Sequence, residues 1–94
     1  MEPCVSVRYT GHSLRRMFER GLSNEEVIYT LQAGETIADY PKDNPYPSQL
    51  KLGWVDGKAI HVVVSRNQDN GQCYIITAYY PSSDIWTDDF KIRR

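Results

Sequence analysis

The chain is poor in cysteine, in long apolar runs and in net charge. Its only cysteines are Cys4 and Cys73. They stand far apart and outside any C-x-x-C spacing, a poor signal for zinc. No signal peptide precedes them, so free thiols in a reducing cytoplasm are the expectation. No apolar run approaches the roughly 20 residues of a membrane span, and no membrane partner is expected. A basic excess is missing too. The formal net charge is −1, whereas proteins that live on phosphate contacts are usually basic. There is no Gly-rich phosphate loop, nucleophile elbow or paired-metal carboxylate motif, so neither a metal nor another cofactor is expected.

The 94 residues, 40% apolar and 24% charged, suit a single domain spanning 1–94 with one modest core. Its body is expected at about 10–81, with 82–94 as a C-terminal arm. The seven tyrosines can pack a ring while keeping a hydroxyl at a wet surface.

The organising stretch is His12 to Gly21, read as a helix. Thr10 is a plausible N-cap, and Gly21 sits where a left-handed C-cap belongs. Leu14, Met17 and Phe18, at i, i+3 and i+4, form the expected core face. At about 100° per residue, His12, Arg16 and Arg20 rise as one stripe, flanked by Arg15 and Glu19. Like charges at this spacing disfavour an isolated helix by roughly 0.2–0.5 kcal/mol, a cost that a bound anion would relieve. About equally, the stripe is a solvated face, since charged residues are mostly exposed.

A second helix follows. Ser23-Asn24-Glu25-Glu26 is a capping box, and Leu22 can staple against Val27. Val27, Ile28 and Leu31 form its apolar stripe, and Gly34 ends it. The lead-in Met1 to Tyr9 reads as irregular or briefly extended. Glu35 to Tyr40 could be a strand, and Pro41 to Ser48, with three prolines, must be a loop. Leu50, Leu52 and Trp54 then alternate, Asp56-Gly57 signals a type I′ turn, and strands follow over Lys58 to Arg66 and Cys73 to Tyr80. Ser82 to Arg94 reads as a short helix or an arm, with Ile85, Trp86 and Phe90 as apolar anchors. The expected architecture is α+β: two N-terminal helices, then an antiparallel meander of about four strands.

A two-residue turn at Asp56-Gly57 pairs Leu52 with His61 and sets His61 on a face with Leu50, Trp54 and Val63. A packed, hydrogen-bonded sheet histidine is as good a reading of His61 as a catalytic one. The next turn decides its tyrosine neighbour. An even-length connection puts Tyr80 on that face, and an odd one with a bulge puts Tyr79 there. Two histidines, several arginines and a tyrosine, without metal spacing, suit metal-free RNA cleavage. One group takes the 2′-OH proton, another protonates the leaving oxygen, and guanidiniums hold the charged phosphorane.

The pieces H-S-L-R-R-M (12–17), E-R-G-L-S (19–23), E-E-V (25–27), A-G-E (33–35), I-H-V-V-V (60–64) and I-I-T-A-Y-Y-P (75–81) together resemble the bacterial domain-of-unknown-function family 4258. That family is similar, more distantly, to the BrnT and RelE/ParE-like toxins of toxin–antitoxin systems. The resemblance implies their helix-helix-then-sheet fold, ribonuclease activity, RNA or the ribosome as target, a cognate antitoxin as partner, and the cytoplasm as location. It carries over His12, Arg16, Arg20, His61 and Tyr79 as site positions; with Arg15 from the helix stripe added, the catalytic candidates are His12, His61, Tyr79 and Arg16, with Arg15 and Arg20 on phosphate. The alternative is a non-catalytic protein- or ligand-binding module on the same fold, with exposed Trp86 or Phe90 as the antitoxin's anchor.

Overall fold

The computed structural model describes residues Met1–Arg94. It begins with a strand, β1 (Ser6–Tyr9), and continues with helices α1 (Gly11–Arg20) and α2 (Asn24–Ala33). Four strands follow: β2 (Glu35–Tyr40), β3 (Ser48–Val55), β4 (Lys58–Arg66) and β5 (Gln72–Tyr79). The sheet order is β1-β5-β4-β3-β2, with β1 parallel to β5 and every other pair antiparallel. This corrects the expected fold class. The helices lie between strands rather than at the start of the chain, and the sheet is mixed and five-stranded. A four-residue strand that pairs 66 positions away leaves no local periodicity to read.

That pairing overturns a second expectation. Val7 stands opposite Cys73, and the Val5 amide donates to the Gly71 carbonyl at 2.9 Å. Cys4 is thereby set beside Cys73, and the two form a disulfide rather than free thiols. Cys73 is wholly buried in the core.

The helix ends follow their local chemistry. The Thr10 hydroxyl accepts from the Ser13 amide, and Gly21 adopts a left-handed φ of 70°. Ser23 and Glu26 complete their reciprocal capping box. The core face of α1, however, differs from expectation. Ser13 and Met17 are buried, while Leu14 is 51% and Phe18 89% exposed. Ser13 tolerates burial because its hydroxyl donates to the Thr10 carbonyl. That rotates the helix and leaves Phe18 outside.

Met17, Leu22 and Val27 pack on Ile60, Val62, Val64, Cys73, Ile75 and Ala78, so both helices cover one face of the sheet. On α2, Thr30 replaces the expected Ile28 and Leu31 as the second fully buried residue. It presses on Gly53, where a Cβ would lie 2.5 Å from the Thr30 hydroxyl. The Asp56-Gly57 turn has φ of 51° and 77°, as a type I′ hairpin needs. It pairs Val55 with Lys58 and Leu52 with His61.

Residues 82–94 are neither a helix nor a free arm. They form an irregular strap, closed by a bridge between Trp86 and Arg93 and by backbone bonds from Thr87 to Ile92 and from Arg94 to Ile85. The strap crosses the sheet face opposite the helices, and its Lys91 ion-pairs with Glu35 at 3.1 Å. Trp86 is 8% exposed and Phe90 is half-buried, so neither is the exposed anchor that the sequence suggested.

Candidate functional site

On β4, Ile60, Val62 and Val64 point to the helices, so His61 points the other way. It is 0% exposed. Its Nε2 lies 2.8 Å from the Phe90 carbonyl, which can only accept, so Nε2 carries the proton. Nδ1 is then the acceptor, and the Tyr79 hydroxyl donates to it at 3.2 Å. The Trp86 ring meets the imidazole edge-on, with centroids 4.5 Å apart. Phe90, whose carbonyl is the acceptor in this array, is a bulky residue at a φ of +59°. A side chain of that kind rarely adopts this conformation.

Burial pushes the His61 pKa below its ordinary value, and the Phe90 carbonyl opposes this in part. Neutral imidazole therefore favours the folded state. That contribution is complete above the unfolded histidine pKa of about 6.5 and is lost as pH falls below it toward the folded value. The urea midpoint is expected to drop between pH 7.5 and 5.5, and to drop equally in His12→Ala. A flat midpoint over that range would contradict the buried neutral assignment.

Tyr79 reaches His61 for a reason other than the parity of the turn. Arg66 pairs with Cys73 across an even, six-residue connection, which would set Tyr80 on the His61 face. A bulge in β5, at the register shift between Val63 and Val64, adds one residue and brings Tyr79 opposite His61 instead. Tyr80 turns to the helix side, where its hydroxyl donates to Glu26 at 2.9 Å.

Tyr79 is half-buried. Burial raises its phenol pKa, and neighbouring Tyr40 raises it further, while Arg93 and Arg20 draw it back. Arg20 is held at the open edge of β5, donating to the Ala78 carbonyl at 2.8 Å and to the Thr77 hydroxyl at 3.4 Å. Arg93 lies over the Trp86 ring, 5.6 Å from its centroid. A phenol hydrogen-bonded to a buried imidazole thus lies in the field of two guanidiniums, one of them bonded to the two residues that precede Tyr79.

Of the six candidates, the fold gathers His61, Tyr79 and Arg20. His12, Arg15 and Arg16 stay exposed on α1, on the helix-covered side of the sheet. Arg16 is paired with Glu19 at 3.5 Å. The histidine pair is therefore not assembled: His61 faces away from α1, under the strap. Sequence reasoning missed Arg93 and Tyr40, and it missed the strap as the cover of His61. The apolar spacing of Trp86 and Phe90 was the only signal for that cover. No group of three or more His, Cys, Asp or Glu side chains could hold a metal ion. No helix is long and apolar enough to cross a membrane.

The fold and this array define a small domain of helices and strands with a mixed five-stranded sheet, helices on one face and a tyrosine–histidine pair under a C-terminal strap on the other. The chain matches Domain of unknown function (DUF4258) over residues 9–80 and belongs to that family. No curated protein and no solved structure matches it.

Proposed function

We propose that the domain acts on RNA, as a metal-independent endoribonuclease of the toxin kind, with Tyr79 in the place first given to a histidine pair. The observation that carries this reading is half-buried Tyr79, its hydroxyl bonded to neutral His61, with Arg20 anchored on the adjacent Thr77 and Ala78. The guanidiniums would hold a phosphodiester and the charge that grows on it. The substrate 2′-OH gives its proton to the Tyr79 oxygen as the Tyr79 proton moves to His61 Nδ1. The 2′-oxygen bonds to phosphorus, and the bond to the 5′-oxygen breaks. The products are a 2′,3′-cyclic phosphate and a 5′-hydroxyl that takes its proton from water; the hydroxide left behind takes a proton from Tyr79 as Tyr79 recovers its own from His61 Nδ1, which restores the neutral pair. The Phe90 carbonyl holds the imidazole in the tautomer this needs. The exposed Arg15 and Arg16 would contact phosphates away from the cleaved bond.

Tyr79→Phe tests this, since it keeps the ring and removes only the hydroxyl. RNA cleavage and growth inhibition are expected to fall at least 100-fold, as for loss of a general acid–base group. The melting temperature should fall by roughly 5–10 °C, because His61 Nδ1 is left buried without its partner, so cleavage is compared well below it. His12→Ala should cleave as the parent does. Cleavage unchanged in Tyr79→Phe would overturn the reading.

A second reading has its own support. Leu14 and Phe18 project from α1 at i and i+4 beside Arg15, an arrangement suited to a protein partner such as an antitoxin. Both His61 nitrogens are satisfied, as in a packing residue. On this reading the domain is a non-catalytic binding module. Phe18→Ala would then abolish partner capture, and the parent would cleave no RNA.

A further inference from the structure

A cavity of about 580 Å³ opens at the far end of the Tyr79 face, lined by Asp43, Asn44, Tyr46, Ser65, Tyr74 and Ile76 among others. Its aromatic wall is the pair Tyr46 and Tyr74, stacked at 5.6 Å between centroids and 11° between planes. A stacked pair uses one face of each ring. A third planar ring stacked on an outer face would contribute about tenfold or more in affinity. The polar wall is Asp43 and Asn44. Asp43 accepts from the Ser48 hydroxyl through Oδ2 at 2.7 Å, leaving Oδ1 and the second lone pair of Oδ2 for a ligand. The loop is tied down without any ligand: the Arg66 amide donates to the Pro47 carbonyl and the Asp43 amide to the Tyr40 carbonyl.

The bulge in β5 connects this cavity to Tyr79. Tyr74 and Tyr79 are five positions apart, an odd spacing that sets side chains on opposite faces of a regular strand. The extra residue brings both onto the face of Ser65 and His61. At strand rise they lie about 15 Å apart, a span of a few nucleotides.

We propose that the Tyr46–Tyr74 cavity is a nucleobase subsite selective for guanine, taking one base of an RNA strand that runs along β5 to Tyr79. The base extends the tyrosine stack. The Asp43 carboxylate accepts from the two adjacent donors on guanine, N1–H and N2–H, and the Asn44 amide donates to O6. Adenine and uracil do not offer that pair of donors. The subsite rests on the RNA reading above, but it is tested by binding alone.

The experiment titrates the full chain with guanosine monophosphate, adenosine monophosphate and inorganic phosphate, following the tyrosine ring signals by NMR. Guanosine monophosphate should shift the Tyr46 and Tyr74 rings and bind at least tenfold more tightly than adenosine monophosphate. Tyr46→Ala, on the loop, should bind at least tenfold more weakly, with the amide spectrum reporting its fold. Asp43→Asn can keep the Ser48 contact and should erase the preference for guanine. Equal binding of the two nucleotides, the same shifts from phosphate alone, or unchanged affinity in Tyr46→Ala would each overturn the subsite. Guanine binding that survives in a chain unable to cleave RNA would remove the catalytic reading and keep the subsite. Cleavage without base binding would do the reverse.

Discussion

His61→Ala is expected to lower the unfolding free energy by about 3 kcal/mol, a large share of the roughly 5–14 kcal/mol available to a domain of this size. Three losses add. The substitution empties a fully buried position beside Leu52. It strips the Phe90 carbonyl of its donor and the Tyr79 hydroxyl of its acceptor. It also removes the ring against which Trp86 packs. An unmatched buried polar group costs about 1–3 kcal/mol, more than the bond was worth when made. The strap should therefore loosen as the chain is destabilised. Urea unfolding measures the loss, and near-UV circular dichroism of Trp86 follows the strap. His12→Ala should stay within about 0.5 kcal/mol, as for an exposed side chain. A loss below 1 kcal/mol in His61→Ala would mean that the strap is held elsewhere.

Reduction of the disulfide is expected to cost about 4 kcal/mol, on the chain-entropy estimate for a loop closed across a sequence separation of 69. The cross-link restrains the unfolded chain far more than a short loop would. It also pins the four residues of β1 to β5, with Val7 opposite Cys73. Urea midpoints of the oxidised chain and of the chain held in dithiothreitol give the difference, and Cys4→Ser should match the reduced form. A thiol assay should find no free thiol before reduction and two after it. Identical midpoints would show that β1 pairing stands without the bond.

The candidate site was legible in pieces. His61, Tyr79 and Arg20 stand out by residue type, and the Asp56-Gly57 turn is enough to set Leu52 opposite His61. Their grouping was not legible, because a bulge inside β5 decides which tyrosine faces His61, and nothing in the run Ile75 to Tyr79 marks it. His12 and His61 are kept apart on a different ground. Which face of the sheet the helices cover is a question of packing between elements, and period-2 alternation in β4 serves either face when both are buried. Ile60, Val62 and Val64 took the helices, so His61 took the strap.

Sequence by itself determined the elements whose causes lie within a few residues: the Thr10 and Ser23 caps, the left-handed Gly21, the type I′ turn and the register it imposes. Each rests on one side chain or one φ angle acting on its own neighbourhood. Tertiary structure alone decided the parallel docking of β1, the Cys4–Cys73 bond, the burial of Ser13 in place of Phe18, and the strap over His61. These depend on surfaces brought together from distant parts of the chain. Their free energy comes from the area two elements bury against each other, and no local pattern encodes it.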